Sequence, residues 1–256
     1  MPVAALAGCY VISLRPVGAH AAIRRAAAAQ GARVLALSPW TLVDRDDAGT
    51  RSALRAALAC ERVLFTSPAA VRAANTLQPL RARRGQRWFA VGAGTAAALR
   101  RAGIADVGAP QRMDSDGLLA LPALRDVRGA SIGLVTAPGG RDRIAPALRR
   151  RGARVSRADV YARVAVPPST RAVAALRALD APAWLALSSG EALERTLATL
   201  PVEALAILRR ARVVAASARL AQLAQAQGFA DITVAASAQP RDLLAAAAQA
   251  TALPLA

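Results

Sequence analysis

Short apolar runs rich in β-branched residues alternate with helical patterns along nearly the whole 256-residue chain. In the first half, CYVISL, ARVLAL, RVLFTS and RWFAVG are predicted strands, and the Ala-rich segments between them have helical periodicity. The second half repeats the alternation with SIGLVT, ARVSRADV, AWLALS and RVVAAS. Because strands that alternate with helices pair in parallel and are covered on both faces, the sequence predicts an α/β fold.

The two halves also resemble each other in sequence. Gly31-Ala32-Arg33-Val34 recurs as Gly152-Ala153-Arg154-Val155, and AGIADV from Ala102 is matched by QGFADI from Gln227. Between these anchors, FTSPAAVRAANTL corresponds to LSSGEALERTL. Three matches in the same order at nearly one spacing predict a duplication into two similar domains.

Two domain arrangements agree with this pattern. A tandem pair would place the boundary near Gly129. Proline-bearing breaks occur instead at 38–40 and 166–168, just after the two GARV strands. If those breaks are linkers, the first strand-helix-strand segment docks with the C-terminal segment, and a second domain is inserted between them. The residue pattern leaves both arrangements open.

The basic residues behind the formal charge of +18 are all arginine. Their main clusters precede a glycine or a strand, where cations complement the C-terminal end of a helix dipole: Arg100-Arg101, Arg149-Arg150-Arg151 and Arg209-Arg210-Arg212. In an α/β layer, these helix ends lie opposite the ligand-binding edge. Aromatic residues make up only 3% of the chain, so stacking platforms for bases are scarce. We therefore expect no nucleic-acid binding.

Location and metal content follow from what the sequence lacks. No apolar run is long enough for a membrane span, and the N-terminus lacks the basic region of a signal peptide, so we expect a cytoplasmic protein without membrane association. Cys9 and Cys60 are the only cysteines and His20 the only histidine, which argues against a metal site or a disulfide framework. We expect His20 to be a surface or packing residue of an Ala-rich helix.

Loops after the predicted strands are rich in Gly, Ser and Thr. In parallel α/β sheets, ligands bind beyond the carboxyl ends of the strands, where backbone N–H groups and helix N-termini are presented. Five loops of this type are Thr66-Ser67-Pro68, Gly92-Ala93-Gly94-Thr95, Gly139-Gly140, Ser188-Ser189-Gly190 and Ala216-Ser217. Helix capping alone explains any one of them. Together they favour a small polyanion held in a cleft between the two domains.

Three arginines strengthen the anion interpretation. Arg15, Arg141 and Arg219 lie at strand ends or in first helical turns, where the helix dipole disfavours a cation. Either a neighbouring carboxylate such as Asp142 or an anionic ligand should compensate their charge.

One segment fits the dinucleotide fingerprint G-x-G-x-x-A, namely Gly92 to Ala97. The next predicted strand ends in Gly108-Ala109-Pro110 and lacks the acidic residue that would hold a ribose. A nucleotide-dependent enzyme is therefore the third interpretation, behind an enzyme acting on a polyanion and a non-enzymatic two-domain protein that binds one.

Taken together, the motifs resemble the uroporphyrinogen-III synthase family over nearly the whole chain. The resemblance is carried, in chain order, by Arg15-Pro16, FTSPAAVRA, FAVGAGTAAAL, DSDGLLALPAL, GGRD before RGARV, Tyr161, SSGEALE and VVAASARLAQLAQAQGF. It implies two flavodoxin-like parallel-sheet domains joined by a two-stranded linker, the second inserted in the first. The first domain would then be 1–38 with 168–256, the second 41–160, and the linkers 39–40 and 161–167.

The resemblance also implies a function. Family members are usually monomeric, cofactor-free lyases that cyclise linear hydroxymethylbilane to uroporphyrinogen III in haem biosynthesis, with loss of water and inversion of ring D. A transient contact with the enzyme that supplies hydroxymethylbilane is a further expectation. Tyr161 matches the family's cleft tyrosine, which is proposed to assist departure of the substrate hydroxyl; a tyrosine that packs a linker strand is the alternative. The expected substrate contacts are Arg15, Ser67, Thr95, Gly139, Gly140, Arg141, Ser188, Ser189, Gly190, Ser217 and Arg219.

The sequence departs from the family pattern at a few positions. Thr136-Ala137-Pro138 stands where relatives commonly show Arg-Gly and an acidic or amide residue, and Leu14 and Ser188 each replace a frequent Thr. Because Pro138 lacks a backbone N–H, we expect altered contacts around Gly139.

Overall fold

The computed structural model describes residues 4–139 and 143–252. Its elements follow the predicted alternation of strands and helices. In chain order they are β1 (Tyr10–Ser13), α1 (Ala21–Ala29), β2 (Arg33–Ala36), β3 (Trp40–Asp44), α2 (Ala48–Leu58), β4 (Arg62–Phe65), α3 (Pro68–Leu77), β5 (Arg87–Ala90), α4 (Ala93–Arg101), β6 (Val107–Gly108), α5 (Ser115–Ala120), β7 (Ser131–Thr136), α6 (Ile144–Arg150), β8 (Arg154–Asp159), β9 (Tyr161–Ala165), α7 (Thr170–Arg177), β10 (Ala183–Leu187), α8 (Gly190–Thr199), α9 (Val202–Arg209), β11 (Arg212–Ala215), α10 (Ala218–Ala226), β12 (Ile232–Val234) and α11 (Pro240–Ala252).

The described chain divides into two compact units. The first is built from the residues up to Thr41 and from Val164 onwards, and the second runs from Leu42 to Arg163. The chain leaves the first unit within β3 and returns to it within β9, and these two strands form a two-stranded sheet.

The first unit contains a five-stranded parallel sheet in the order β12-β11-β10-β1-β2. Numbered along this unit, the order is 2-1-3-4-5 from the β2 edge, which is the strand order of flavodoxin-like folds. Its core brings together Val11 of β1, Ile23 of α1, Trp184 of β10 and Leu243 of α11. The parallel α/β class expected from the sequence is confirmed.

The second unit contains a parallel sheet in the order β6-β5-β4-β7-β8. The spatial order is the same as in the first unit when β7 and β8 are equated with β1 and β2. The strand-helix-strand segment that comes first in one unit therefore comes last in the other. The sequence repeat agrees with this cyclic shift, because the two GARV segments lead into β2 and β8, while FTS and LSS close β4 and β10.

Four glycines of the repeat have one structural role. Each of them follows a helix with a positive φ, at 76° for Gly31, 83° for Gly152, 95° for Gly103 and 87° for Gly228. A Cβ disfavours this backbone region, so glycine is the usual residue just after a helix. The same requirement at four helix ends explains why these positions stand out in the sequence.

Both faces of the second sheet are buried. Leu64 and Phe65 are adjacent in β4 and fully buried, and they belong to two different apolar clusters, as the alternation of a strand requires. The Phe65 and Trp88 rings stack at a centroid distance of 5.6 Å. Burial of each such side chain contributes about 1.5–3 kcal/mol. This packing fixes the strand ends from which the loops of the candidate site start. None of the helices in the described part of the chain is long and apolar enough to cross a membrane.

Candidate functional site

A cavity of about 170 Å³ opens at the carboxyl edge of the second unit's sheet. The loops after β4 and β7, the start of β9 and side chains of neighbouring elements form its walls. Its lining is Thr66, Ser67, Val91, Ser115, Leu134, Thr136, Ala137, Gly139, Ile144, Arg157, Tyr161 and Arg163. We call this space the Tyr161 cavity. Every residue of the lining belongs to the unit 42–163.

Tyr161 and Ser67 form a hydrogen-bonded pair in this cavity. Tyr161 is only 4% exposed, and its Oη lies 3.1 Å from Ser67 Oγ. Ser67 is also the N-cap of α3, where its Oγ accepts a hydrogen bond from the Ala70 N–H at 3.0 Å. The sequence therefore places a buried phenol and a helix-capping hydroxyl in direct contact, with the phenol facing the cavity.

Two guanidinium groups, those of Arg157 and Arg163, give the cavity a basic character. Arg157 Nε donates to Asp159 Oδ1 at 3.0 Å, and Arg157 Nη2 donates to the Ala137 carbonyl at 3.3 Å. This pair is about three-quarters buried, with Arg157 24% and Asp159 26% exposed, so solvent screens it less than a surface ion pair. The ion pair and the bond to the Ala137 carbonyl hold the Arg157 guanidinium in a fixed orientation at the cavity wall.

The loop after β7 is anchored beneath the cavity. Thr66 Oγ1 donates to Thr136 Oγ1 at 2.8 Å, which ties the ends of β4 and β7 together. Gly139 is exposed and lines the cavity, and the substrate contact expected of it stays a prediction. Gly140 and Arg141, also expected contacts, lie outside the described residues, as does Asp142.

Thr95 lies apart from this cavity lining. It is 4% exposed, in the first turn of α4, whose N-cap is Gly92. The substrate contact expected of Thr95 stays a prediction. Its burial shows that the side chain packs in the interior of the unit.

In the first unit, Arg15 follows β1 at the carboxyl edge of the sheet. Its side chain makes no ion pair with any carboxylate among residues 4–139 and 143–252. Burial lowers the pKa of Arg15 from its usual value. Because a desolvated cation without an acidic partner is costly, an anionic ligand would be stabilised there.

The remaining residues expected to contact substrate follow β10 and β11. Ser188 is exposed, and Ser189 and Ser217 are N-caps that accept from Ala192 and Leu220 backbone N–H groups at 3.3 and 3.4 Å. Arg219 is exposed in the first turn of α10. The capping roles predicted from the sequence are confirmed for both serines.

Gly190 has a packing role that the sequence did not indicate. It is buried, and a Cβ built on it would lie 2.6 Å from Leu223 Cδ2 of α10. The glycine therefore permits close approach of α8 and α10. Its expected contact with substrate stays a prediction.

His20 is buried rather than on the surface. Its Nδ1 lies 3.0 Å from Ser13 Oγ and its Nε2 lies 2.8 Å from Ser38 Oγ, so the ring links the ends of β1 and β2. Burial, with smaller contributions from Arg24 and Arg15, lowers the pKa of His20 below 6.5. The imidazole is therefore neutral at pH 7, and it lines a second cavity of about 560 Å³.

Sequence reasoning missed Arg157, Arg163 and the hydroxyl network around His20. A usable signal existed for Arg157: Arg157 and Asp159 are two residues apart in a strand, so their side chains share a face. No comparable signal marked His20, because Ser13 and Ser38 meet it only through the pairing of β1 with β2. Among the described residues, no three His, Cys, Asp or Glu side chains are grouped as metal ligands.

Known proteins match this chain in sequence and in fold. The family model described as uroporphyrinogen-III synthase HemD matches residues 21–245. Uroporphyrinogen-III synthases of Salmonella typhimurium and Escherichia coli are 35% and 32% identical over 162 and 161 residues, which is 62% of this chain in both cases. The matched segments span 66% and 65% of those relatives, slightly less than two thirds of their lengths.

Solved structures extend the match to the fold. A mutant uroporphyrinogen III synthase from Thermus thermophilus superposes with a TM-score of 0.60 at 20% identity, covering 94% of this chain and 98% of its own. The uroporphyrinogen-III synthetase from Helicobacter pylori gives a TM-score of 0.62 at 12% identity, covering 94% and 99%. At these identities the likeness concerns the fold alone. Because the family model covers most of the sequence, the chain belongs to the uroporphyrinogen-III synthase family.

Proposed function

We propose that the protein is a uroporphyrinogen-III synthase, a cyclising hydro-lyase that converts linear hydroxymethylbilane into uroporphyrinogen III and water. The family match over residues 21–245 carries the proposal, and the Tyr161 cavity supplies a suitable site. A linear tetrapyrrole with acetate and propionate groups is a polyanion, which suits arginines and helix N-termini at the carboxyl edges of both sheets.

In this mechanism, the phenol of Tyr161 donates a hydrogen bond to the ring A hydroxyl. The C–O bond breaks with its electron pair going to the departing oxygen, and the ring A pyrrole N–H loses a proton. The hydroxide and this proton together make up one water, and ring A becomes a neutral azafulvene. The substituted carbon of ring D attacks this electrophile to form a spiro intermediate. The bond from this ring D carbon to the methylene of ring C then breaks and leaves an azafulvene on ring C. The unsubstituted carbon of ring D attacks that azafulvene and loses its proton, which closes the macrocycle with ring D inverted.

Arg157 and Arg163 have a binding role in this proposal. Each guanidinium would donate hydrogen bonds to a substrate carboxylate near the phenol, although Asp159 already offsets the charge of Arg157. Arg15, Arg219 and the serine caps would bind other carboxylates in the first unit. Uncatalysed closure gives the non-inverted isomer, so the main task of these contacts is to hold one folded shape of the substrate.

We also propose the finer assignments that go with this function. The folding domains are 1–38 with 168–256 and 41–160, with linkers at 39–40 and 161–167. The protein acts as a cytoplasmic monomer without a cofactor, and it contacts the enzyme that supplies hydroxymethylbilane only transiently.

The test supplies hydroxymethylbilane from a coupled enzyme, oxidises the products and separates the porphyrin isomers by chromatography. The type III isomer is expected to predominate. Exclusive formation of the type I isomer, as in a reaction without the protein, would refute the proposal.

A further inference from the structure

The direction of the hydrogen bond between Ser67 and Tyr161 decides what the phenol can do. A hydroxyl group donates one proton and accepts at two lone pairs. At 3.1 Å, either Ser67 Oγ or Tyr161 Oη could be the donor. If Tyr161 donates to Ser67, its proton is used, and its oxygen can only accept a bond from a ligand. If Ser67 donates, the phenol proton is free for a group in the Tyr161 cavity.

The surroundings of Ser67 favour the second direction. Ser67 Oγ already accepts from the Ala70 N–H at 3.0 Å, which leaves one lone pair and its proton for Tyr161. The hydroxyl also lies at the N-terminus of α3, a helix of ten residues. The positive end of the helix dipole polarises Ser67 Oγ and makes its O–H a stronger donor.

We infer that Ser67 is a positioning residue, which donates to Tyr161 Oη and thereby directs the phenol proton into the cavity. The chain of donors runs from Ala70 N–H to Ser67 Oγ–H to Tyr161 Oη–H, and ends at the departing hydroxyl. This assignment rests on the proposed synthase function, and it gives Ser67 a role other than the substrate contact expected from the sequence.

Two substitutions of nearly equal size separate the directions. Asn and Asp are both favourable N-caps, so Ser67→Asn and Ser67→Asp should each retain the start of α3. The Asn amide can cap with its oxygen and donate to Tyr161 with its nitrogen. An ionised Asp only accepts, so it draws the phenol proton to itself and away from the cavity.

The kinetic readout is kcat at saturating hydroxymethylbilane, with KM measured separately because Asp also repels an anionic substrate. We expect kcat of Ser67→Asn and of the conservative Ser67→Thr to stay within about threefold of the unsubstituted protein, and kcat of Ser67→Asp to fall by about tenfold or more. Equal kcat values for the Asn and Asp variants would overturn the inference.

A second readout does not require activity. The chain has only two tyrosines, Tyr10 and Tyr161, so Tyr161→Phe assigns the two ¹³Cζ signals of labelled protein. Donation by the phenol moves its ¹³Cζ signal towards the phenolate position, and we expect this downfield shift in Ser67→Asp but not in Ser67→Asn. Identical shifts in the two variants would refute the proposed direction.

Ser67→Ala covers the case in which the Asp variant does not fold. If Ser67 is the donor, its removal leaves the phenol unoriented and lowers kcat. If Tyr161 were the donor, the same change would free the phenol proton, and kcat would be kept or raised, which would overturn the inference. Should the unsubstituted protein form no type III isomer, the synthase function fails, and the ¹³Cζ comparison still tests the hydrogen bond by itself.

Discussion

Gly133 of β7 is a position where one added methyl group should destabilise the second unit. A Cβ built on Gly133 would lie 2.0 Å from the Ala57 carbonyl oxygen of α2, and 2.6 Å from the Ala57 carbonyl carbon. Both atoms belong to the backbone, so no side-chain rotation relieves the clash. In Gly133→Ala, α2 must move away from the sheet by more than about 1 Å, because ordinary contacts between non-bonded heavy atoms lie near 3.5 Å.

Overpacking of a core costs about 1–3 kcal/mol, and the rigid contact at Gly133 places this substitution at about 3 kcal/mol. That is a large fraction of a typical unfolding free energy of about 5–15 kcal/mol. With an m-value of about 1–3 kcal/mol per molar urea, the unfolding midpoint should fall by about 1 M or more.

Gly94→Ala is the matched control. Gly94 lies within α4, and its added Cβ would be 3.7 Å from Pro68 Cγ, an ordinary contact. Because alanine is the better helix former, this variant should gain about 0.5–1 kcal/mol. Urea denaturation of both variants gives the comparison. An unchanged midpoint for Gly133→Ala would refute the close packing of α2 on β7.

Three further predictions concern the site and the hydroxyl network. Tyr161→Phe should lower kcat by about tenfold or more, the value of one hydrogen bond to developing charge, and kcat equal to that of the unsubstituted protein would exclude the phenol from the reaction. Arg157→Gln should raise KM for hydroxymethylbilane by about tenfold or more through loss of a charged contact, whereas Arg72→Gln, which removes a surface partner of Asp44, should leave KM unchanged. Because burial lowers the pKa of His20, the unfolded chain binds the proton first as pH falls below about 6.5. The unfolding free energy should therefore decrease as the pH falls from about 6.5 to the lower folded pKa of His20. Above about pH 7.5, His20 should contribute nothing to the pH dependence of the unfolding free energy. Urea midpoints at several pH values, measured also for His20→Gln, check this, and the same pH dependence in both proteins would contradict it.

Local patterns were sufficient to predict most of the strands and to indicate the helix caps. Ser67, Ser189 and Ser217 follow apolar runs and precede helical periodicity, and each proves to be an N-cap. Pro68 follows Ser67 at the first helical position, as its missing N–H allows. These features depend on residues within a few positions of one another, so a single sequence contains them.

Features that depend on strand order were not accessible in the same way. The repeat indicated two similar halves, but not that the strand-helix-strand segment at the start of the first unit comes last in the second. The contact between Ser67 and Tyr161 joins residues 94 positions apart, and it exists only because β4, β7 and β8 are neighbours. Pairing across such distances is decided by packing of the whole sheet rather than by local preference.

A glycine or a serine that follows a strand does not by itself indicate one structural role. A glycine after a strand fits a ligand loop and a close helix contact equally well, and at Gly190 an added Cβ would lie 2.6 Å from Leu223 Cδ2. A serine after a strand fits both capping and binding. Only the geometry around Ser67 shows a hydroxyl that caps a helix and also meets a buried phenol.

The ratio of type III to type I porphyrin, measured against protein concentration at a fixed supply of hydroxymethylbilane, tests the central claim most directly. Spontaneous closure to the type I isomer competes with the catalysed reaction. The proposed synthase predicts that the ratio rises with protein concentration, and that Tyr161→Phe requires more protein for the same ratio. A ratio that stays at the uncatalysed value at every protein concentration would contradict the account.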